Sequence, residues 1–456
     1  MILMKQKVID HNHFLHFFYE KRRLYKFPIK TKLFLSIVLI TVLFYSCENY
    51  VSNIDLPSNV IEDSDLNNQS QLKYLINGVK IQYAQTQDRL YVLVDALSDA
   101  FVYAKGTPDA KFIDFDKIDQ GDLGFPYDNT SVEIVFADLG ELRFLADDLI
   151  RRVNIIVITD TLEYFDLKIE ALFTGYLYGG IARYFYATYF GLNATEGGGI
   201  IDNGPFIPSD QMYDLAIERF LSSLEYTDHD YENQLVLTSE DHAIRVVNSL
   251  IARCYLYKGI YDSATFYASN GMIPGDLPFQ SLYFIGAERN NYWWQEAGIN
   301  QAQFVVADRF EQYYNHPEAN RVKLKENSES LDSHGNPDMF IQNMYQDEDS
   351  PITHISWQEN HLIRAECILR SYDGGDAMEL INEVRSSHNI SPLTINSSNS
   401  DSLLTEILYI ERDKELFTTG ARLPDQRRFN TWHLNQNSWQ YLPITQRERN
   451  SNPNID

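Results

Sequence analysis

Leu250-Ile251-Ala252-Arg253-Cys254-Tyr255-Leu256-Tyr257-Lys258-Gly259, followed by Tyr261, Ala264 and Ala268, says more about the architecture of this chain than any other segment. Ala243, Val246, Val247, Leu250, Ile251 and Cys254 recur at helical spacing behind Thr238 or Ser239, either of which can cap a helix start, and Gly259 stops the run. A shorter helix from Tyr261 to Asn270 follows, and its small residues at 264 and 268 let two helices approach closely while Gly259 permits the turn between them. The segment therefore predicts a helical hairpin.

Working outward, the pattern repeats. From Asp166 to Phe190, Ile169, Leu172, Phe173, Tyr176, Leu177, Ile181, Tyr184 and Phe185 predict a long buried helix without proline. Ser209, behind Pro208, is the expected N-cap of a helix carrying Met212, Ala216, Phe220 and Leu221. Helical patterns return at Ser356–Ser371, Asp376–Ser386 and Leu403–Phe417. Long loop-rich stretches lie between, at Ala104–Ser131, Leu192–Ile207, Ile273–Gln303 and Asn315–Pro351, and loops this long in a compact body are usually functional. The hairpin has the texture of a tetratricopeptide unit, although no regular 34-residue period of that kind runs through the chain. The predicted fold class is mostly α, with tetratricopeptide-like helix pairs.

Among 456 residues, 64 are acidic and 38 are Lys or Arg, a formal charge of −26 that argues against binding nucleic acid. Hydrophobic residues make up 44%, enough for a substantial core. With three cysteines no disulfide framework holds the fold. Cys254 and Cys367 sit in helical patterns and read as buried free thiols, with a bridge between them left open.

The amino terminus reads as an export signal. Lys21, Arg22, Arg23, Lys26, Lys30 and Lys32 precede an apolar run from Leu33 to Tyr45, which ends at Ser46-Cys47. The run is about 13 residues, short of the ~20 that a spanning helix needs, and a small residue before Cys47 suits cleavage and lipidation of that cysteine. Residues 1–46 are then the signal peptide, residues 47–71 a lipidated tether, and residues 72–456 the folded body. Losing residues 1–46 leaves 30 basic against 62 acidic residues, a charge of −32, so an attached lipid rather than a basic patch must hold the body at a membrane.

Four segments of the second half are recognisable together. Trp357-Gln358-Glu359-Asn360-His361-Leu362-Ile363-Arg364-Ala365-Glu366 looks like an E-x-x-L-I-x-A-E helix, and Leu380-Ile381-Asn382-Glu383-Val384-Arg385 like an N-x-V-R helix. Ile410-Glu411-Arg412-Asp413-Lys414-Glu415-Leu416 with Gly420-Ala421-Arg422-Leu423-Pro424-Asp425-Gln426-Arg427-Arg428-Phe429 is similar to an E-R-x-x-E-L…G-x-R-x-x-D-L-R-R stretch, and Leu442-Pro443-Ile444-Thr445 to Asn452-Pro453-Asn454 to a P-I-P…E…N-P-N terminus. In this order they resemble the SusD/RagB family of nutrient-binding outer-membrane lipoproteins. More weakly, Ala96-Leu97-Ser98-Asp99, the long helix ending in Tyr-Phe-Gly and Asp210-Gln211-Met212-Tyr213 extend the resemblance over most of residues 72–456, with an N-terminal part at 72–275 and a C-terminal part at 276–456.

The resemblance implies that the helix pairs form an α-α superhelix with a loop-rich, ligand-facing side, in a binding protein and not an enzyme, and no cofactor or metal is expected. It would be lipid-anchored at the cell outer membrane, surface-exposed, capping a TonB-dependent β-barrel transporter of the SusC type to which it passes an oligosaccharide or other nutrient. Glu359, Glu366, Arg412, Arg422, Asp425, Arg427 and Arg428 read as a structural ion network, because charges inside a helical body must be paired. Two alternatives stand beside this: a surface-tethered glycoside hydrolase using a carboxylate pair, and an adaptor lid with no ligand of its own.

A sugar site needs flat aromatic faces beside hydrogen-bonding side chains. Arg289-Asn290-Asn291-Tyr292-Trp293-Trp294-Gln295 is the leading candidate, because two of the five tryptophans stand adjacent among such groups. In an extended segment at most one of the two would be free. Asn291, Tyr292, Trp293 and Trp294 are thus expected ligand contacts, joined by Asp99 and Tyr103 from an early loop that also holds Phe101 and Tyr127. Trp432 and Trp439 read as packing, and Glu196-Gly197-Gly198-Gly199-Ile200 as a flexible turn. No His/Cys cluster has zinc spacing and no acidic loop has calcium spacing.

Overall fold

The computed structural model describes residues 63–104, 113–122, 127–159, 162–232, 234–285, 291–327, 339–371, 376–394 and 402–455. Cys47, the signal and most of the tether lie outside them. The chain divides into two units, Met1–Asp65 and Leu66–Asp456, and the second holds all the elements below.

A 3-10 turn at Gln69–Gln71 runs into α1 (Leu72–Leu97). α2 (Ile113–Gln120) lies within the stretch expected to be loop, and α3 (Thr130–Ile155) starts where Asn129 accepts a hydrogen bond from the Val132 amide at 3.2 Å. α4 (Leu162–Tyr189) is almost wholly buried from Ala171 onward, because that half is largely apolar and its one charge, Arg183, is paired with Asp147 at 2.9 Å. α5 (Ser209–Ser223), α6 (Glu240–Tyr257) and α7 (Tyr261–Ser269) continue the series. Neighbours pack in sequence, α1 on α3, α3 on α4, α4 on α5, α5 on α6 and α6 on α7, giving a superhelix of helix pairs.

Ser239 caps α6 by accepting from the His242 amide at 3.2 Å. Gly259 holds φ +72°, a conformation that costs glycine nothing, and so lets α7 fold back on α6. Ser209 differs from expectation. Pro208 takes the cap position, while the Ser209 hydroxyl donates to the Ala187 carbonyl at 2.6 Å and ties α5 to the end of α4.

A one-turn helix, α8 (Tyr292–Glu296), precedes α9 (Trp357–Ser371), which packs on α6, α7 and α10 (Ala377–Ser387). A π-helical turn (Leu403–Leu408) leads into α11 (Tyr409–Glu415), followed by α12 (Arg422–Arg428) and α13 (Gln446–Ser451). Short strands pair two by two on the irregular side. β1 (Phe101–Tyr103) runs antiparallel to β6 (Phe304–Val306), β5 (Phe279–Ser281) to β9 (Ile352–Ile355), and β7 (Leu324–Asn327) to β8 (Met339–Gln342). β2 (Phe190–Gly191) runs parallel to β10 (Leu442–Pro443).

The glycine-rich 196–200 segment is no flexible turn. Gly198–Gly199 form β3, paired with β4 (Ile207–Pro208) and buried. A Cβ on Gly199 would lie 2.7 Å from the Tyr186 ring, so glycine is required there by close approach.

Arg412, Arg428, Asp425 and Glu366 form the centre of the expected network, whereas Arg422 pairs with Asp99 and Asp413 and Arg427 donates to the Gln440 and Thr188 carbonyls. Arg412, fully buried, donates to both Asp425 oxygens at 2.7 and 3.1 Å, and Arg428 bridges Asp425 and Glu366 at 2.6 Å each. Glu359 is paired instead with Arg253 of α6, whose Nε donates at 2.7 Å. Burial alone would raise the Asp425 and Glu366 carboxyls, but the adjacent guanidiniums hold both below the usual range. Cys254 and Cys367 are buried and free.

Candidate binding surface and the α1–α4 cleft

The two segments singled out from sequence meet in space, and they meet through buried residues. Asn291 is fully buried and acts as the N-cap of α8: its Oδ1 accepts from the Trp294 amide at 3.1 Å, and its Nδ2 donates to the Ser350 carbonyl at 2.7 Å. The Tyr292 amide donates to Asp88 Oδ2 at 3.2 Å, pinning the turn to α1. Burial pushes the Asp88 carboxyl up to about 8. Trp293 is fully buried with its ring 4.9 Å from Phe101 and 6.1 Å from Tyr345. The expected extended segment is therefore a helical turn, and Trp293 and Asn291, placed among the ligand contacts by sequence, are inside the protein.

Tyr292 and Trp294 remain half-buried. The Arg89 guanidinium lies over the Tyr292 ring at 5.7 Å and is itself held by Asp138 at 2.9 Å. Here an aromatic face and a hydrogen-bonding cation are together and partly open to solvent, the chemistry a sugar contact requires.

Asp99 and Tyr103 are engaged elsewhere. Asp99 accepts from Arg422 at 2.5 and 2.7 Å and from Arg309 at 3.0 Å, joining the end of α1 to α12. Burial would raise its carboxyl; Arg422 and Arg309 bring it below the usual value. Tyr103 is buried in β1, its ring 6.3 Å from Phe304. Tyr127 packs beneath Arg449 at 4.2 Å and against Trp439 at 5.7 Å. Arg289 and Asn290 lie outside the described residues. Among the described residues no group of three His, Cys, Asp or Glu side chains is placed to hold a metal ion.

Sequence reasoning missed a large cleft of about 1160 Å³ between the first half of α1, the first half of α4, the 228–237 loop and β5. Tyr83, Phe173, Tyr178 and Phe279 line it, with Lys80 and Glu170 paired at 2.9 Å across it. Leu162 and Phe165, about two turns ahead of the buried part of α4, were the available signal: an apolar pattern that continues past the end of the core.

No protein-family model and no curated protein sequence matches the chain. Solved structures do. A SusD superfamily protein from Bacteroides thetaiotaomicron superposes with a TM-score of 0.64 over 85% of this chain and 99% of its own, at 16% identity. The fold is that of the SusD superfamily. Surface glycan-binding protein A from Bacteroides thetaiotaomicron gives a TM-score of 0.62 over 85% and 98%, at 12% identity. A SusD-like carbohydrate binding protein from Bacteroides vulgatus gives 0.59 over 78% and 83%, at 14% identity. The likeness lies in the α-α superhelix; in this chain α8 and β1 sit on its loop-rich side.

Proposed function

We propose that the protein is a surface lipoprotein that binds a carbohydrate, or another nutrient, and passes it to a TonB-dependent barrel transporter of the SusC type. The observation that carries this is the superposition of the whole helical body on structures described as SusD-like carbohydrate-binding and surface glycan-binding proteins. The lipid on Cys47 would hold an acidic body at the outer membrane, and the half-open surface of Tyr292, Trp294 and Arg89 would take the ligand. Glu359 and Glu366 are committed to arginine partners, which favours binding over glycosidic cleavage.

Gel retardation of the mature chain in a panel of polysaccharides, with each mixture checked for released oligosaccharide, tests the reading. Retardation by a subset of glycans with no product is the expected result. Product formation would overturn it in favour of a hydrolase. Co-purification with a barrel but no glycan would leave the adaptor.

A further inference from the structure

We propose that the α1–α4 cleft is a second binding site, distinct from the Tyr292/Trp294 surface, for an uncharged amphipathic small molecule: an alkyl or aryl body bearing hydroxyl groups. Large apolar side chains converge on it from three separate segments and stay open to solvent: Ile81 is 57% exposed, Phe165 60%, Leu162 91% and Leu235 73%. Single exposed aliphatics are ordinary, but several gathered around one concavity mark an interaction site. At about 1160 Å³ the space suits a small molecule of drug size or somewhat larger.

A second, independent observation concerns His229, which lines the cleft and is only 8% exposed. Its Nδ1 lies 3.2 Å from the Tyr226 carbonyl, and its ring stands 5.2 Å from Phe173. Burial lowers its basicity, so the ring is neutral, and a neutral imidazole that donates from Nδ1 to a carbonyl leaves Nε2 as a bare acceptor. Among the described residues Nε2 has no partner. A buried acceptor without a donor is costly, and a ligand hydroxyl would supply the donor.

Charge narrows the ligand class. The lining holds Glu163, Asp166, Glu170, Asp228 and Asp230 against Lys73 and Lys80, a balance that repels anions such as fatty-acid carboxylates. The cleft lies along residues 73–83 of α1, whereas Asp88 and Arg89, which hold Tyr292, lie further along the same helix. A ligand in one place therefore leaves the other open.

The test is calorimetric titration of the mature chain with octyl glucoside below its micelle concentration, beside octanoate and octyltrimethylammonium. Octyl glucoside should bind saturably and more tightly than either ion. His229→Phe, which keeps a ring and removes the acceptor, should weaken it by roughly 3–10-fold, and Phe165→Ala, at an exposed position, should also weaken it. Glycan retardation should be unchanged in both variants. Absence of saturable binding, equal binding by octanoate, or tighter binding by octyltrimethylammonium would overturn the proposal, as would affinity indifferent to both substitutions.

Discussion

Successive side chains on a helix point about 100° apart, so the single turn of α8 sends Trp293 into the core against Phe101 and leaves Trp294 half-open one position later. Their substitutions should separate accordingly. Trp293→Ala should cost about 3–5 kcal/mol, as expected for a fully buried large aromatic, whereas Trp294→Ala should shift the urea midpoint little; equal destabilisation by the two would contradict this placement. Asp95 offers a second residue-scale test. Burial pushes its carboxyl up to about 8, although the Gly420 amide donates to it at 3.3 Å and pulls the other way. Because the folded value exceeds the unfolded 3.8, the stability it contributes is whole below about pH 4 and is lost as pH rises through about 8. Asp95→Asn, which does not ionise, should gain on the parent by up to about 1.4 kcal/mol per pH unit across that window. Denaturation at pH 5 and pH 8 measures it, and an unchanging gap would refute the assignment.

At the scale of elements, α4 and α5 pack most extensively, and Gly180 is where they touch: a Cβ there would lie 2.6 Å from the Phe220 ring. Gly180→Ala should therefore cost roughly 1–3 kcal/mol through overpacking, despite alanine's better helix propensity; a rise in melting temperature would show that the helices can part freely. This helix, like α6, α7, α9 and α10, was legible because its apolar residues repeat at 3.6. α1 was not, since its buried face carries Gln82, Gln85, Thr86, Gln87, Asp88 and Asp95, several of which reach partners distant in sequence, such as Asp138 and the Thr353 carbonyl. The same holds for the candidate surface. Its aromatic content could be read from sequence, but which indole is open depends on a turn capped by Asn291 and tied to Asp88, and Asp88 is some 200 residues away. The cleft was illegible because its four walls are brought together only by the superhelix.

Over the whole molecule, buried titratable groups oppose one another. Burial lowers His229, His242, His354, His361 and His433 from the unfolded 6.5, so their contribution is complete above that pH and is lost as pH falls. Asp88 and Asp95, raised to about 8, act in the reverse sense from 3.8 upward. Histidines outnumber these carboxyls, so stability should rise toward pH 6.5 and decline above it as only the two aspartates still titrate. Below about pH 4 the paired carboxylates add their loss; Glu318, which burial would raise, is brought down to about 2 by Arg321 and Lys414. Melting temperatures from pH 4 to pH 9 check this, and a maximum at pH 8 or above would contradict it. In the proposed function, Tyr292 and Trp294 capture a glycan. Calorimetric titration of the mature chain with a glycan that retards it, beside a Tyr292→Ala/Trp294→Ala variant shown to fold, tests that most directly. Saturable binding by the parent and at least about a tenfold loss in the variant are expected, given what stacked rings contribute; undiminished binding by the folded variant would place the ligand elsewhere.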